Sequence, residues 1–283
     1  MKLATSNYGC PAMPFEELLG HAKAIGFAAV ELMVNEENIL NIPYTTALSR
    51  LDDFALQKIR DGYRRHDLGI SAVGLFVDIA TGDDSIDLPN MAATKRCFDV
   101  AAYLADGGVV PPVVGIPRGK PHQWEESKGL LAERTAELAA HAGKHGTRYL
   151  IKAHAGYAID LPWKLVWLLG QVGAEGFAFD YDMSHFEAAR LTIPQTLPLL
   201  PNTAHIHLKS YGGPEGSMAL PGEGLSDFAE QFRQFRRFGY DGYLTLEVSA
   251  VVQRRPGFDP VEAMRKAHGH LSRCLVEAGI TPA

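Results

Sequence analysis

No run of about 18 apolar residues occurs anywhere in the sequence, so no membrane-crossing helix is expected. The opening "MKLATSNYGC" has no long apolar core of the kind that marks a secretory leader. Cysteine is scarce: Cys10, Cys97 and Cys274 are the only three, and they stand far apart. An odd, widely spaced set argues against a disulfide framework and fits core thiols in a reduced, cytoplasmic protein. Basic excess is missing as well. The 283 residues carry a formal net charge of −6, whereas a general nucleic-acid binder presents a basic surface. There is no low-complexity segment, no charge block and no linker rich in Gly, Ser or Pro. A single domain over residues 1–283 is therefore expected.

What the sequence does contain is alternation. Strand-like apolar runs are "KLATS" (2–6), "AAVELM" (28–33), "ISAVGLF" (70–76) and "GVVPPVVGI" (108–116). Four more are "RYLIKA" (148–153), "GFAFDYD" (176–182), "AHIHLKS" (204–210) and "YLTLEVS" (243–249). Between them apolar residues recur at helical spacing. "FEELLGHAKAIGF" places Leu18, Leu19, Ala22 and Ile25 on one face, with Gly26 as a stop. "GLLAERTAELAAHAGKHG" does the same with Leu131, Leu138 and Ala142 and ends near Gly146. "SDFAEQFRQFRRFGYDG" carries Phe228, Phe232, Phe235 and Phe238 as a core stripe, with Ser226 or Asp227 as N-cap and Gly239 as stop.

Eight strands alternating with helices predict an α/β fold, a closed (β/α)₈ TIM barrel. A doubly wound open sheet would show a glycine-rich phosphate turn after its first strand, and "TSNYGCPAMP" is not one. Pro111 and Pro112 cannot donate to a ladder, so the fourth strand is free to begin only at Val113.

In such a barrel, chemistry sits at the C-terminal ends of the strands. Strand two offers Glu31 there, and strand five offers Lys152 and His154. Strand six offers Asp180 and Asp182, with His185 shortly after; strand seven offers His205, His207 and Lys209 on one face. Strand eight offers Glu247, with Tyr243 and Thr245 on the same face. Any one of these has an ordinary reading: a strand-end Asp caps the next helix, and Glu31 pairs with a neighbouring base. Together, Asp182, His185, His207 and Glu247 would converge on one space. Buried charge without partners is costly, so convergence of this kind points to metal ligation or acid–base chemistry.

The pieces "FAFDYDMSHF", "AHIHLKS", "LPGEGLSDF" and "GYDGYLTLEVS", in that order, resemble the sugar phosphate isomerase/epimerase superfamily, the xylose isomerase-like barrels. That group also includes dehydratases and AP endonuclease 2-like repair enzymes. The N-terminal "AIGFAAVELM" is similar to the group too. The resemblance implies that Asp182, His207 and Glu247 bind a divalent metal (Mn²⁺, Mg²⁺, Co²⁺ or Zn²⁺) and that Glu247 shuttles a proton. It further implies that His185 contacts substrate, that Gly222 to Gly224 form a turn closing the site, and that the chain assembles as a homodimer or homotetramer. No organic cofactor is implied.

The fourth ligand that the resemblance implies is a glutamate at the end of strand five, and Lys152 stands there. A protonated ammonium has no lone pair and repels a cation, so it speaks against a bound metal. It either supplies the metal's positive charge or, with its pKa lowered by burial, acts as a base or nucleophile. The expected catalytic residues are thus Glu247 as base, Lys152 as electrophile and His185 as orienting donor. His154, Lys209 and Glu31 are expected to bind substrate. So are residues of the loop "PRGKPHQW", where Trp124 would cover a sugar face, His122 bond a hydroxyl, and Arg118 or Lys120 meet an anionic group. The expected activity is an isomerase or epimerase that abstracts a proton beside a carbonyl of a small polyhydroxy substrate. A lyase or dehydratase using the same enolate is the alternative, and a non-catalytic sugar-binding barrel is a third. An endonuclease would need further metal ligands and a basic surface, so neither nucleic acid nor membrane is an expected partner.

Overall fold

A computed structural model describes residues 1–281. Eight parallel strands close into one barrel. They are β1 (Lys2–Ser6), β2 (Ala29–Met33), β3 (Gly69–Gly74), β4 (Val113–Gly115), β5 (Tyr149–Lys152), β6 (Phe177–Tyr181), β7 (Thr203–Leu208) and β8 (Tyr243–Leu246). The ring is sealed where β8 pairs with β7 on one side and with β1 on the other. The fourth strand does begin at Val113: the prolines before it have no N–H to give, and β4 is short.

Both faces of these strands are buried, which is why they read as continuous apolar runs. One set of side chains packs outward against the helices, including Tyr149 and Ile151 of β5 and Phe177 and Phe179 of β6. The alternate set fills the barrel, with Val114, Leu150 and Ala178 at its base. The same alternation carries Lys152 and Asp180, paired in register, into the interior above Leu150 and Ala178.

The outer ring contains α1 (Phe15–Ile25), α2 (Asp53–Arg65), α3 (Asp84–Leu104), α4 (Trp124–Lys144), α5 (Pro162–Val172), α6 (Met183–Ala188), α7 (Phe228–Arg237) and α8 (Pro260–Glu277). Gly26 ends α1 in the left-handed region at φ 108°, where any side chain would be strained. Asp227 caps α7 by accepting from the Glu230 N–H at 2.9 Å. Phe228, Phe232 and Phe235 are core, but Phe238 lies just past the helix and is 40% exposed, so the stripe has three members. All three cysteines are buried free thiols.

Candidate active site at the C-terminal mouth of the barrel

Each interior polar group is placed by the end of a strand. Asp182 follows β6 and caps α6: its Oδ1 accepts from the Ser184 N–H at 3.2 Å and from the Ser184 hydroxyl at 2.6 Å. This fixes the carboxylate and turns Oδ2 into the barrel. Glu247 follows β8 and is tied to β7 through its N–H, which donates to Leu208 O at 3.1 Å. Lys152 is the last residue of β5, and its side chain is fully sealed from solvent.

These groups meet. Lys152 Nζ lies 2.6 Å from Glu247 Oε2, 3.5 Å from Asp182 Oδ2 and 3.9 Å from Asp180 Oδ2. Lys209 Nζ lies 3.1 Å from Asp182 Oδ2 and donates to Glu247 Oε1. Both oxygens of Glu247 therefore face ammonium groups. Below them, His207 is held by Asp180 Oδ2 at Nδ1 (2.6 Å) and by Glu31 Oε2 at Nε2 (3.0 Å). His205 sits between Asp180 Oδ1 (3.0 Å) and the Thr245 hydroxyl (2.9 Å).

The electrostatics follow from burial and proximity. Burial alone would lower the Lys152 pKa, but Glu247, Asp182 and Asp180 override it and hold the lysine well above its ordinary value. This is opposite to the lowered pKa that a lysine base or nucleophile would need. Burial likewise disfavours charge on His207, yet Asp180 and Glu31 raise it to about 10, so it is an imidazolium at neutral pH. Burial would raise Glu247; Lys152 and Lys209 depress it well below the carboxylate range. His185 goes the other way. Burial and the Lys209 charge push it well below its ordinary value, and it is neutral. Neither of its ring nitrogens has a hydrogen-bond partner. Its ring packs on His154 at 3.8 Å between centroids, and His154 stacks in turn on Tyr157 at 4.2 Å.

A cavity of about 510 Å³ opens over this cluster. Glu247, Lys209, His185, His154 and Arg118 line it, with Tyr8, Asn35, Asn38, Phe76 and Tyr157 around them. Lys152, Asp182 and His207 lie beneath its wall and do not line it.

Three assignments expected of substrate contacts are corrected. Trp124 is buried at the start of α4, packed edge-on against Trp163 and Trp167 of α5, and it faces the helix layer instead of a ligand. His122 is exposed on the turn before α4, away from the cavity. Glu31 is wholly buried on His207, so it pairs with a neighbouring base and cannot reach a sugar. Of the two basic residues in the same loop, Arg118 reaches the cavity and Lys120 does not. The Gly222–Gly224 turn does not line it either; Met218, a few residues earlier, does. Gly224 is instead pressed against Ser210 and Tyr211, where a Cβ would come within 2.3 Å of Ser210 Oγ.

Asp180, offered by strand six without a role, holds both His205 and His207. Its signal was present: it alternates with Asp182 and pairs in register with His205. Tyr8, Asn35, Asn38 and Tyr157 gave no signal, because they come from loops whose course depends on the closed barrel.

The donor set does not fit the divalent metal that the resemblance implies at Asp182, His207 and Glu247. Both nitrogens of His207 are taken by carboxylates, both oxygens of Glu247 by ammonium groups, and Oδ2 of Asp182 faces both lysines. Glu31, His205 and His207 do bring three ligating atoms within 4.8 Å of one another. There too each imidazole nitrogen already has a carboxylate or hydroxyl partner, so neither ring has a lone pair to give, and the unpartnered Glu31 Oε1 is one donor only.

A closed eight-stranded barrel with its polar residues gathered at the C-terminal mouth defines a TIM-barrel protein of the kind that works from that end. The chain belongs to the xylose isomerase-like TIM barrel family, whose model matches residues 19–274. No curated protein matches the sequence itself. Among solved structures, the fold is similar to a D-psicose 3-epimerase with D-tagatose from Clostridium cellulolyticum H10. That match has TM-score 0.77 and 16% identity, covering 98% of this chain and 99% of the other. It is also similar to a probable 3-DHS dehydratase from Bacillus anthracis, with TM-score 0.76, 15% identity and coverage of 96% and 99%. A xylose isomerase-like barrel from Mycobacterium smegmatis, in complex with magnesium, matches with TM-score 0.72, 17% identity and coverage of 98% and 97%.

Proposed function

We propose that the protein is a sugar isomerase- or epimerase-like enzyme that moves a proton at the carbon beside a carbonyl of a small polyhydroxy substrate. One observation carries this reading. One cavity is lined by a carboxylate, Glu247, touching an ammonium, Lys209, and by a neutral imidazole, His185, whose buried ring nitrogens have no hydrogen-bond partner among the described residues. Those are a base, an electrophile and a free hydrogen-bonding group. Glu247 takes the proton. The negative charge it loses reappears on the substrate oxygen, where the same Lys209 ammonium can follow it. The lysine exchanges one counter-charge for another, so little electrostatic stabilisation is given up. His185 meets a substrate hydroxyl, and Arg118, Asn35 and Asn38 surround the rest. Lys152 stays beneath the wall and orients Glu247. Returning the proton to the carbon or its neighbour gives isomerisation or epimerisation, and handing it instead to a β-hydroxyl, which leaves as water while the enediolate collapses to the unsaturated carbonyl compound, gives dehydration. Similarity to an epimerase and to a dehydratase supports this chemistry without choosing between its outcomes.

The test is turnover of a panel of ketoses and keto-polyols in D₂O, with products identified by NMR. Deuterium at the carbon beside the carbonyl, or an eliminated product, is the expected result. A confirmed substrate turned over with neither would overturn the reading. Sugar binding with no turnover of any binder would favour a binding-only barrel.

A further inference from the structure

We infer that Lys152 is a built-in cation that occupies the place a divalent metal would take, so that this chain folds and holds its site without one. The proposal deepens the reading above and rests on it only for why positive charge is wanted at the mouth.

Lys152 Nζ is ringed by Glu247 Oε2 at 2.6 Å, His207 Nδ1 at 3.2 Å, Asp182 Oδ2 at 3.5 Å and Asp180 Oδ2 at 3.9 Å. Carboxylates and a histidine gathered from successive strands resemble the surrounding of a coordinated ion, yet both nitrogens of His207 are engaged by Asp180 and Glu31, and the spacing around Nζ suits an ammonium. Metal–oxygen and metal–nitrogen bonds are shorter, about 2.0–2.2 Å. The place is also closed. The Lys152 side chain is 0% exposed, and its Nζ sits over the Phe76 ring, 5.3 Å from its centre. A second ammonium, Lys209, bridges Asp182 Oδ2 and Glu247 Oε1, so positive charge already stands between these two carboxylates and a dication approaching them from that side. His207 cannot turn out to ligate without abandoning both Asp180 and Glu31. The lysine brings one consequence that a metal does not. It is covalently part of β5, so the cation can be neither lost to a chelator nor exchanged.

The test titrates Mn²⁺ calorimetrically into chelator-treated wild type and into Lys152→Glu. Thermal unfolding is followed with EDTA and with Mn²⁺, and metal content is measured on protein as purified. Wild type should carry no stoichiometric metal, should bind Mn²⁺ weakly or not at all, and should unfold at the same temperature with either additive. Lys152→Glu removes the fixed charge and adds an oxygen donor. It should bind one equivalent of Mn²⁺ at least about tenfold more tightly than wild type and unfold at a higher temperature when the metal is present. A Glu variant that folds only with Mn²⁺ would support the inference equally. If that variant fails to fold under any condition, Lys152→Gln, which cannot donate charge, takes its place; stabilisation of this variant by Mn²⁺ where wild type gains none has the same meaning. Stoichiometric metal in purified wild type, or a wild-type unfolding temperature lowered by EDTA and restored by Mn²⁺, would overturn the inference. So would a folded Glu variant with no gain in affinity. None of these readouts needs a substrate. A failure of the solvent-exchange experiment therefore removes the proposed reaction and leaves this result to be judged alone.

Discussion

The two halves of the barrel send very different side chains into one interior. From β5 to β8 come Lys152, Asp180, Asp182, His205, His207, Lys209 and Glu247, nearly all of the buried charge. From β1 to β4 come Ala72, Gly74 and Val114, with Ser71 bonded to Thr245 and one carboxylate, Glu31, bonded to His207. The loops reverse this. Those following β1 to β4 line the cavity mainly with neutral side chains, Tyr8, Asn35, Asn38 and Phe76 among them, and add two charges of opposite sign, Glu37 and Arg118. The second half is built to hold charge in fixed places and the first half to shape what comes near it. On the proposed reading, the second half would carry the reaction and the first half the choice of substrate.

The strongest way to break this division is kinetic. Glu247→Gln keeps shape and loses the base, so kcat on a confirmed substrate should fall by about 10²–10⁴-fold with the far-UV circular dichroism unchanged. Asn38→Ala, in the loop after β2 that lines the same cavity, should act mainly through KM. If both variants lowered kcat alike, the division would fail.

The next effect is on stability. Lys152→Met leaves Glu247, Asp182 and Asp180 buried without their shared counter-ion. Loss of one partner from a buried ion network costs about 3–5 kcal/mol, and urea unfolding should show a midpoint shift of that size. Ser71→Ala in the other half removes one neutral hydrogen bond and should cost about 1 kcal/mol.

A third comparison separates the helix layer from the cavity. Trp124→Phe should cost about 1–3 kcal/mol by loosening its packing on Trp163 and Trp167, and should leave KM unchanged. A raised KM with normal stability would return Trp124 to the substrate.

How much of this was legible beforehand depended on the range of the signal. The barrel was legible because each strand is short and buried on both faces, so composition alone marks it. Convergence of Asp182, His185, His207 and Glu247 follows from strand alternation and closure, both of which are regular. Trp124 was not legible: it stands among charged loop residues, and its burial depends on Trp163 and Trp167 about forty residues further along. The partner of Glu31 was equally hidden, since His207 lies 176 positions away and only the closed barrel joins them. The state of Lys152 was open for a related reason. Burial and carboxylates push a lysine in opposite directions, and only distances decide which prevails.

The smallest effect concerns His154, at the edge between the two regions. Burial, then the nearby charges of Lys209 and Lys152, lowers its pKa to about 4. Its Nδ1–H donates to Ala155 O at 2.9 Å, and its ring lies between Tyr157 and His185. In the unfolded chain the same imidazole titrates near its ordinary value. As pH falls from about 6.5 toward 4, the unfolded state therefore takes up a proton that the folded state refuses, and stability is lost through that window. The contribution is full above pH 6.5. Discounted for the solvent that reaches this ring, it amounts to about 1–2 kcal/mol. Other groups lose stability in acid too, among them Glu247 and neutral His185, so the variant must isolate this one. His154→Phe keeps a flat ring in the stack and cannot be protonated. Its unfolding temperature should fall less than that of wild type between pH 7 and pH 4.5. Identical slopes in the two proteins would mean that His154 is wet and ordinary, and that the charged half of the barrel ends at the cavity wall without reaching across it.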